Sequence, residues 1–107
     1  MKQNINEIKQ SAAAYIARLA PGILDAADNA RFSVDINIKN IEDIFEGINW
    51  LSEAMAHIYA DPPDMGHITG LMERIMDSLE TQDYILTADI LEYELYKIIH
   101  AWAEGLK

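Results

Sequence analysis

The sequence contains no cysteine among its 107 residues. A disulfide framework, a thiolate nucleophile and a cysteine-ligated zinc or iron–sulfur site are therefore excluded, and we expect a reducing, cytoplasmic location. No run approaches the roughly 20 apolar residues of a membrane span. Polar residues also interrupt the N-terminal segment where a signal peptide would need an apolar core: Asn4, Asn6, Glu7, Lys9 and Gln10. We therefore expect a soluble protein.

Basic residues are scarce, with 8 lysines and arginines against 18 acidic residues, for a net charge of −10. Residues 40–96 contain 13 acidic residues and one basic residue, Arg74. Such a field repels phosphate backbones and anionic lipid, so we expect neither a nucleic-acid partner nor a membrane partner. A basic or uncharged protein partner is easier to accommodate, although the charge is also explained by solubility alone.

Motifs that carry chemistry are missing as well. There is no glycine-rich phosphate loop, and no Glu-x-x-His pair of the kind with which helical bundles hold two metal ions. His57, His67 and His100 are scattered, and no serine has a histidine in a matching motif. We therefore predict no catalytic residue, no metal site and no cofactor. Methionines at helical spacing indicate core packing more often than an adaptable groove; they are Met55, Met65, Met72 and Met76.

What the sequence does have is sustained 3.6-residue periodicity, interrupted by short polar or proline-containing joints. The pattern predicts four helices in a single domain, at about residues 4–32, 35–60, 64–81 and 83–104. Joints this short place neighbouring helices antiparallel. We therefore predict an all-α fold, an antiparallel up-down four-helix bundle. Pro21, followed by Gly22, predicts a kink or a break in the first helix.

The stretch "SVDINIKN" is ambiguous, because Val34, Ile36 and Ile38 alternate as in a half-buried strand. A lone strand would have no partner, and Val34 and Ile38 also continue the heptad spacing of the second helix. We therefore assign it to that helix, capped by Asp35 or Asn37. By the same reasoning Gln82 or Asp83 caps the fourth helix.

The fourth helix has more apolar surface than one buried stripe requires. A helical wheel gives one core stripe, with Ile99 and Leu106 on its flank: Tyr84, Ala88, Leu91, Leu95, Ile98 and Trp102. A second, outer set contains Ile85, Leu86, Ile90, Tyr93 and Tyr96. Either the first helix covers this outer face or a partner does. Tyrosine is favoured at interfaces because its ring is large and its tip polar.

We predict that the outer face binds a partner, with Leu86, Ile90, Tyr93 and Tyr96 as anchors and with Asp89 and Glu92 at the rim. For Asp89, flanked by apolar neighbours, a solvated carboxylate is favoured over a tyrosine hydroxyl partner or a place at an interface rim.

Three stretches carry a resemblance to known proteins: "LAPGILDAADNARF", "IFEGINWLSEAM" and "LETQDYILTADILEYEL". Together they resemble small uncharacterised bacterial helical-bundle proteins and are loosely similar to the flagellin-type export chaperones. The chaperone resemblance implies a cytoplasmic bundle that wraps, or is wrapped by, a helical segment of an exported partner. It transfers no catalytic residue and no binding motif to numbered positions.

From these observations we predict a non-enzymatic module for protein–protein association. It would act either as a homodimer or as a chaperone-like adaptor that holds a partner helix in a groove. The alternative is a small-molecule or enzymatic site in the bundle interior, built from Tyr15, Trp50, His57 and Trp102.

Overall fold

Four helical rods account for most of the chain. The computed structural model describes residues 4–33, 35–61 and 65–106. The last rod, here called the C-terminal helix, is continuous but changes its winding once along its length. The bounds are α1 (Ile5–Phe32), α2 (Ile38–Ile58), α3 (Gly66–Glu80) and, within the C-terminal helix, α4 (Tyr84–Ile90), a π-helical turn (Leu91–Leu95) and α5 (Tyr96–Gly105). Because the described residues contain no strand, the all-α prediction is confirmed.

The second helix is shorter at its start than the sequence predicts. Residues 35–37 are not helical, and Asn37 caps α2 by accepting the Asn40 N–H at 3.1 Å. Asp83 caps the C-terminal helix in the same way, accepting the Leu86 N–H at 3.2 Å. Of the predicted candidates, Asn37 rather than Asp35 caps α2, and Asp83 rather than Gln82 caps the C-terminal helix. Val34 and the predicted start of the third helix, at residue 64, lie outside the described residues.

α1 runs without interruption through Pro21. Of the two outcomes predicted for this proline, a break is wrong. The physical reason is that Pro21 lies on the exposed side of α1, as does Ala17, whose carbonyl would have accepted the missing N–H. Water can therefore hydrogen-bond that carbonyl instead, and helix packing on the opposite side holds α1 together.

The joint between α3 and the C-terminal helix is a Schellman motif built around Gln82. Gln82 has a φ of 58°, in the left-handed region that usually favours glycine. Its N–H donates to the Leu79 carbonyl at 3.1 Å, and the Asp83 N–H donates to the Ser78 carbonyl at 2.8 Å. These two bonds end α3 and start the next helix after a two-residue turn.

The core lies where α1 contacts both α2 and the C-terminal helix, while α3 packs against the C-terminal helix. Alanines on α1, such as Ala12, Ala26 and Ala27, let the neighbouring helices approach closely. The described chain extends 46 × 24 × 23 Å, a length that the 28 residues of α1 largely set. None of the described helices is both long and apolar enough to cross a membrane. The largest fully buried side chains are Ile16, Ile23, Ile41, Ile48, Leu51, Met55, Ile68, Leu71, Ile75, Ile90, Leu91 and Leu95.

At Gly47 the Tyr15 side chain of α1 packs directly against the backbone of α2. A Cβ atom at this position would collide with the Tyr15 ring, so only glycine leaves room for it. The Tyr15 ring then stacks on Trp50, with 5.4 Å between the ring centroids. The missing Cβ at Gly47 therefore gives the Tyr15 ring the space in which it stacks on Trp50.

Candidate interaction surface

The π-helical turn decides which side chains of the C-terminal helix face the core. Ala88, Leu91, Leu95, Trp102, Ile99 and Leu106 are buried, whereas Tyr84 and Ile98 are only half-buried. A π turn contains one residue more than an α-helical turn would need, so positions after it are rotated relative to a regular wheel. The predicted stripe is therefore correct in outline, but Ile99 replaces Ile98 at its centre.

One of the predicted anchors lies before the π turn and is wrong for a different reason: α4 packs against both α1 and α3. Ile90, assigned to the outer face from the sequence, is 1 % exposed and lies in the core beside Leu91. Thr87 is also buried, and its hydroxyl hydrogen-bonds that of Ser78 on α3. The helix consequently buries a wider arc before the π turn than the regular wheel predicts.

The other predicted residues remain at the surface. Tyr93 is 55 % exposed, and Leu86 is exposed too. Asp89, Glu92 and Tyr96 are half-buried. The Tyr96 ring stacks on His100 of its own helix, with 5.8 Å between the ring centroids. Tyr96 is therefore less available to a partner than Tyr93.

Arg31, in the last turn of α1, binds both predicted rim acids. Its Nη1 donates to Glu92 Oε1 at 2.8 Å, and its Nη2 donates to Asp89 Oδ1 at 3.0 Å. The preferred interpretation of Asp89 as a solvated carboxylate is thus wrong, although half of its side chain stays exposed. One guanidinium fork holds two carboxylates a turn apart, a geometry that a lysine ammonium cannot match.

Electrostatic coupling extends from this ion cluster to Tyr93. The hydrogen bond from Arg31 lowers the pKa of Glu92, and a hydrogen bond from the Tyr93 hydroxyl lowers it further. The same bond to Glu92 raises the pKa of Tyr93. The pKa of Arg31 is raised, chiefly by its hydrogen bond to Glu92. Arg31, Asp89, Glu92 and Tyr93 therefore form one connected polar group.

Large apolar side chains flank this group. Ile85, one helical turn before Asp89, is 55 % exposed, and Leu86 beside it is exposed. Phe32, which follows Arg31 in the chain, is 77 % exposed. We use the term C-terminal surface for Ile85, Leu86, Asp89, Glu92 and Tyr93 together with Arg31.

The sequence prediction missed Arg31 and Phe32, because it considered only one helix at a time. A usable signal was present for Arg31. An antiparallel arrangement brings the end of the first helix beside the start of the last one, and Arg31 is the last base of the first helix. Phe32 has no such signal, since it lies beyond Ala30, the last buried residue of α1.

The residues of the alternative interior site do not meet in one place. Tyr15 lines a shallow cavity of about 310 Å³ between α1 and α2 together with Arg18 and Asp43. Trp102 lines a different cavity, of about 260 Å³, with Met55 and Tyr59. Trp50 and His57 are exposed. Within the described residues, no three histidine, aspartate or glutamate side chains are grouped so as to hold a metal ion.

These features define a small all-helical protein whose last helix carries a mixed ionic and apolar surface. A family model described as "Domain of unknown function (DUF8042)" matches residues 7–105, and the chain belongs to this family. No curated protein and no solved structure matches the chain. The resemblance to flagellin-type export chaperones therefore gains no support from a match and stays a prediction.

Proposed function

We propose that this protein is a non-enzymatic protein–protein interaction module that associates with a second copy of itself through the C-terminal surface. The observation that carries the proposal is the exposure of Ile85, Leu86 and Tyr93 around an ion cluster that is already internally paired. Clustered large apolar side chains on a small protein are typical of association sites. Tyr93 adds an aromatic anchor that loses little conformational freedom on binding.

Charge balance supports a second copy as the occupant. A two-fold interface brings the same patch against itself, so unpaired charges of one sign would repel. On this surface Arg31 binds Asp89 and Glu92, and Arg74 binds the nearby Glu94 at 3.0 Å. One arginine against two carboxylates leaves a net charge of −1 on the C-terminal surface, which is small beside the −10 of the whole chain.

Holding a helix of a different protein is the other form of this proposal, and it is the one that the chaperone resemblance implies. The test below detects self-association, the form that we propose. By contrast, no specific observation favours the interior small-molecule site. Tyr15 and Trp50 stack on each other, but Trp102 lines a different cavity and His57 is exposed.

We also propose the antiparallel up-down connectivity and a cytoplasmic location. The connectivity is supported by contacts between helix ends: Arg31 at the end of α1 binds Asp89 near the start of the C-terminal helix. Tyr59, just after α2, donates its hydroxyl hydrogen to the Gly105 carbonyl at the end of the C-terminal helix, at 3.1 Å. The location is supported by the lack of cysteine.

Light scattering after size exclusion, at loading concentrations from about 5 to about 500 µM, tests the proposed self-association. The expected result is a mass that rises with concentration from 12.1 kDa toward twice that value. In the double variant Leu86→Ser/Tyr93→Ser the mass should stay at that of the monomer, with unchanged far-UV helicity.

A matched control removes two equally exposed apolar side chains elsewhere. Ile5→Ser/Ile38→Ser changes the first turns of α1 and α2 and should associate like the unchanged protein. A monomeric mass for the unchanged protein at every concentration would contradict self-association. Loss of helicity in Leu86→Ser/Tyr93→Ser would show instead that these side chains belong to the core.

A further inference from the structure

An open groove separates α2 from α3. The pairs α1 and α2, α1 and the C-terminal helix, and α3 and the C-terminal helix pack closely, whereas among the described residues α2 and α3 do not. The groove between them has a volume of about 360 Å³ and is lined by Phe45, Thr69, Met72, Glu73, Met76 and Asp77. We call it the α2–α3 groove.

The walls of the groove are apolar and adaptable. Phe45 and Met72 are half-buried, and Met76 is 39 % exposed. Methionine side chains are flexible and polarizable, so they fit apolar side chains of varied shape. The α3 residues that line the groove lie within positions 69–77, a length of about 12 Å at 1.5 Å per residue. A trough of this kind suits a helix that presents apolar residues at three- and four-residue steps.

The rim of the groove is acidic, and its charge is not neutralised. Glu73 and Asp77 line it, and neither carboxylate has a cation within ion-pair distance in the described parts of the chain. The nearest bases on these two helices are engaged elsewhere. Arg74 binds Glu94 at 3.0 Å, and Lys39 lies 3.5 Å from Asp43. The groove therefore combines an apolar floor with uncompensated negative charge.

We propose that the α2–α3 groove binds a cationic amphipathic helix of a partner protein. Apolar residues of that helix would pack against Phe45, Met72 and Met76, while its lysines or arginines pair with Glu73 and Asp77. A second copy of this chain is a poor occupant because none of its described helices carries a net positive charge. The proposal concerns a different surface from the proposed self-association and does not depend on it.

Fluorescence anisotropy with three labelled synthetic peptides of about 18 residues tests the proposal on the full chain. The first peptide is a helix with leucine at three- and four-residue steps and lysine elsewhere. The second carries glutamate in place of lysine. The third has the composition of the first, rearranged so that no apolar stripe forms. We expect the first to bind with a Kd of about 10 µM and the others at least roughly tenfold more weakly.

Two variants test whether binding occurs in the groove. Glu73→Gln/Asp77→Asn removes the rim charge, and Met76→Gln changes an exposed wall residue without emptying the core. Each should weaken binding of the first peptide by roughly tenfold. Asp25→Asn/Asp28→Asn, on the exposed side of α1, removes the same charge and should change the Kd by less than about twofold. Leu86→Ser/Tyr93→Ser should bind as the unchanged protein does.

Three outcomes would overturn the proposal. Equal binding of the rearranged peptide would show attraction by net charge alone. Full binding by both groove variants would assign the peptide to another surface. A groove that is instead occupied by a second copy would appear as self-association lost in Met76→Gln, with no peptide binding at any concentration.

Discussion

At the scale of single residues, Arg31 joins two helices that are far apart in sequence. Its guanidinium group is only partly exposed and binds two carboxylates, which gives the contact a geometry that single surface ion pairs lack. Surface ion pairs contribute only about 0 to 1 kcal/mol each. We therefore regard Arg31 as a residue that fixes how the C-terminal surface is presented, rather than as a main source of stability.

The pKa shift of Glu92 predicts a pH dependence. Because the folded-state pKa of Glu92 lies below the ordinary value of 4.5, this carboxylate stabilises the fold above that pH and loses its contribution as the pH falls through the lowered pKa. Glu92→Gln should therefore lower Tm at pH 7. The difference in Tm from the unchanged protein should shrink to zero in the more acidic range. This Tm difference is measured by thermal unfolding, monitored by circular dichroism, at several pH values from about 7 to about 3.

Glu46→Gln provides the matched control, since Glu46 is exposed on α2 and has no ion-pair partner among the described residues. Its Tm difference should be small and should not follow the pattern of Glu92→Gln. A Tm difference for Glu92→Gln that stays constant across the range would mean that the Arg31 contact does not govern the ionisation of Glu92.

For Asp89 and Ile90, which are neighbours in the chain, the surroundings of the side chain could not be predicted from the sequence. Periodicity states which side of a helix a residue occupies, but it does not state which other helix lies there. The sequence therefore favours a solvated Asp89, whose partner Arg31 is 58 residues away. Ile90 was assigned to the wrong side because a single core stripe was assumed, whereas α4 packs against both α1 and α3. Leu86, Glu92 and Tyr93 were correctly assigned to the surface.

At the scale of elements, the four helices could be predicted, and the caps of the second and fourth helices could be narrowed to two candidates each, because both depend on local sequence. Asn37 and Asp83 act through hydrogen bonds to residues three positions later. The π-helical turn at Leu91–Leu95 was not predictable in this way. Its apolar residues are compatible with either winding, and the choice between Ile98 and Ile99 as the core residue depends on how α1 and α3 pack on the helix.

Pro21 gives a prediction for α1. Pro21→Ala restores a backbone donor within a continuous helix and removes the clash of the proline ring, a local gain of up to about 3 kcal/mol. The unfolded chain also becomes more flexible, which offsets up to about 1 kcal/mol. We therefore expect a net rise of about 1 to 2 kcal/mol in the free energy of unfolding, measured by urea denaturation.

Gly22→Ala is the comparison for this variant. A Cβ atom at Gly22 meets nothing within 4 Å, so alanine should stabilise α1 by up to about 1 kcal/mol through helix propensity alone. If Gly22→Ala is stabilising while Pro21→Ala is not, the proline does not strain α1. The exposure of Pro21 and of the Ala17 carbonyl to water would then be enough to explain why α1 is unbroken.

At the scale of the whole molecule, the two proposed surfaces differ mainly in charge. On the C-terminal surface Arg31 leaves a net charge of −1 from two carboxylates, whereas the acids of the α2–α3 groove, Glu73 and Asp77, have no basic partner in the described residues. Unpaired acids affect the stability of the fold as well as the choice of a binding partner. Charges of one sign held close together in the folded state repel each other more than they do in an expanded chain.

Salt should therefore stabilise this protein. The Debye length is about 30 Å at 0.01 M ionic strength and about 10 Å at 0.1 M. The shorter dimensions of the molecule are 24 and 23 Å, so at low salt acids on all its faces repel one another. Raising NaCl from about 0.01 to 0.3 M should raise Tm by several degrees, equivalent to about 1 kcal/mol.

Two variants should move this salt dependence in opposite directions. Glu73→Gln/Asp77→Asn removes two of the unpaired acids, so it should raise Tm at low salt and reduce the dependence of Tm on NaCl. Lys39→Gln removes a base and should increase that dependence. A Tm that falls as NaCl is added would mean that the ion pairs of Arg31 and Arg74 outweigh the repulsion among the acids. The α2–α3 groove would then lack the uncompensated charge on which its proposed cationic partner depends.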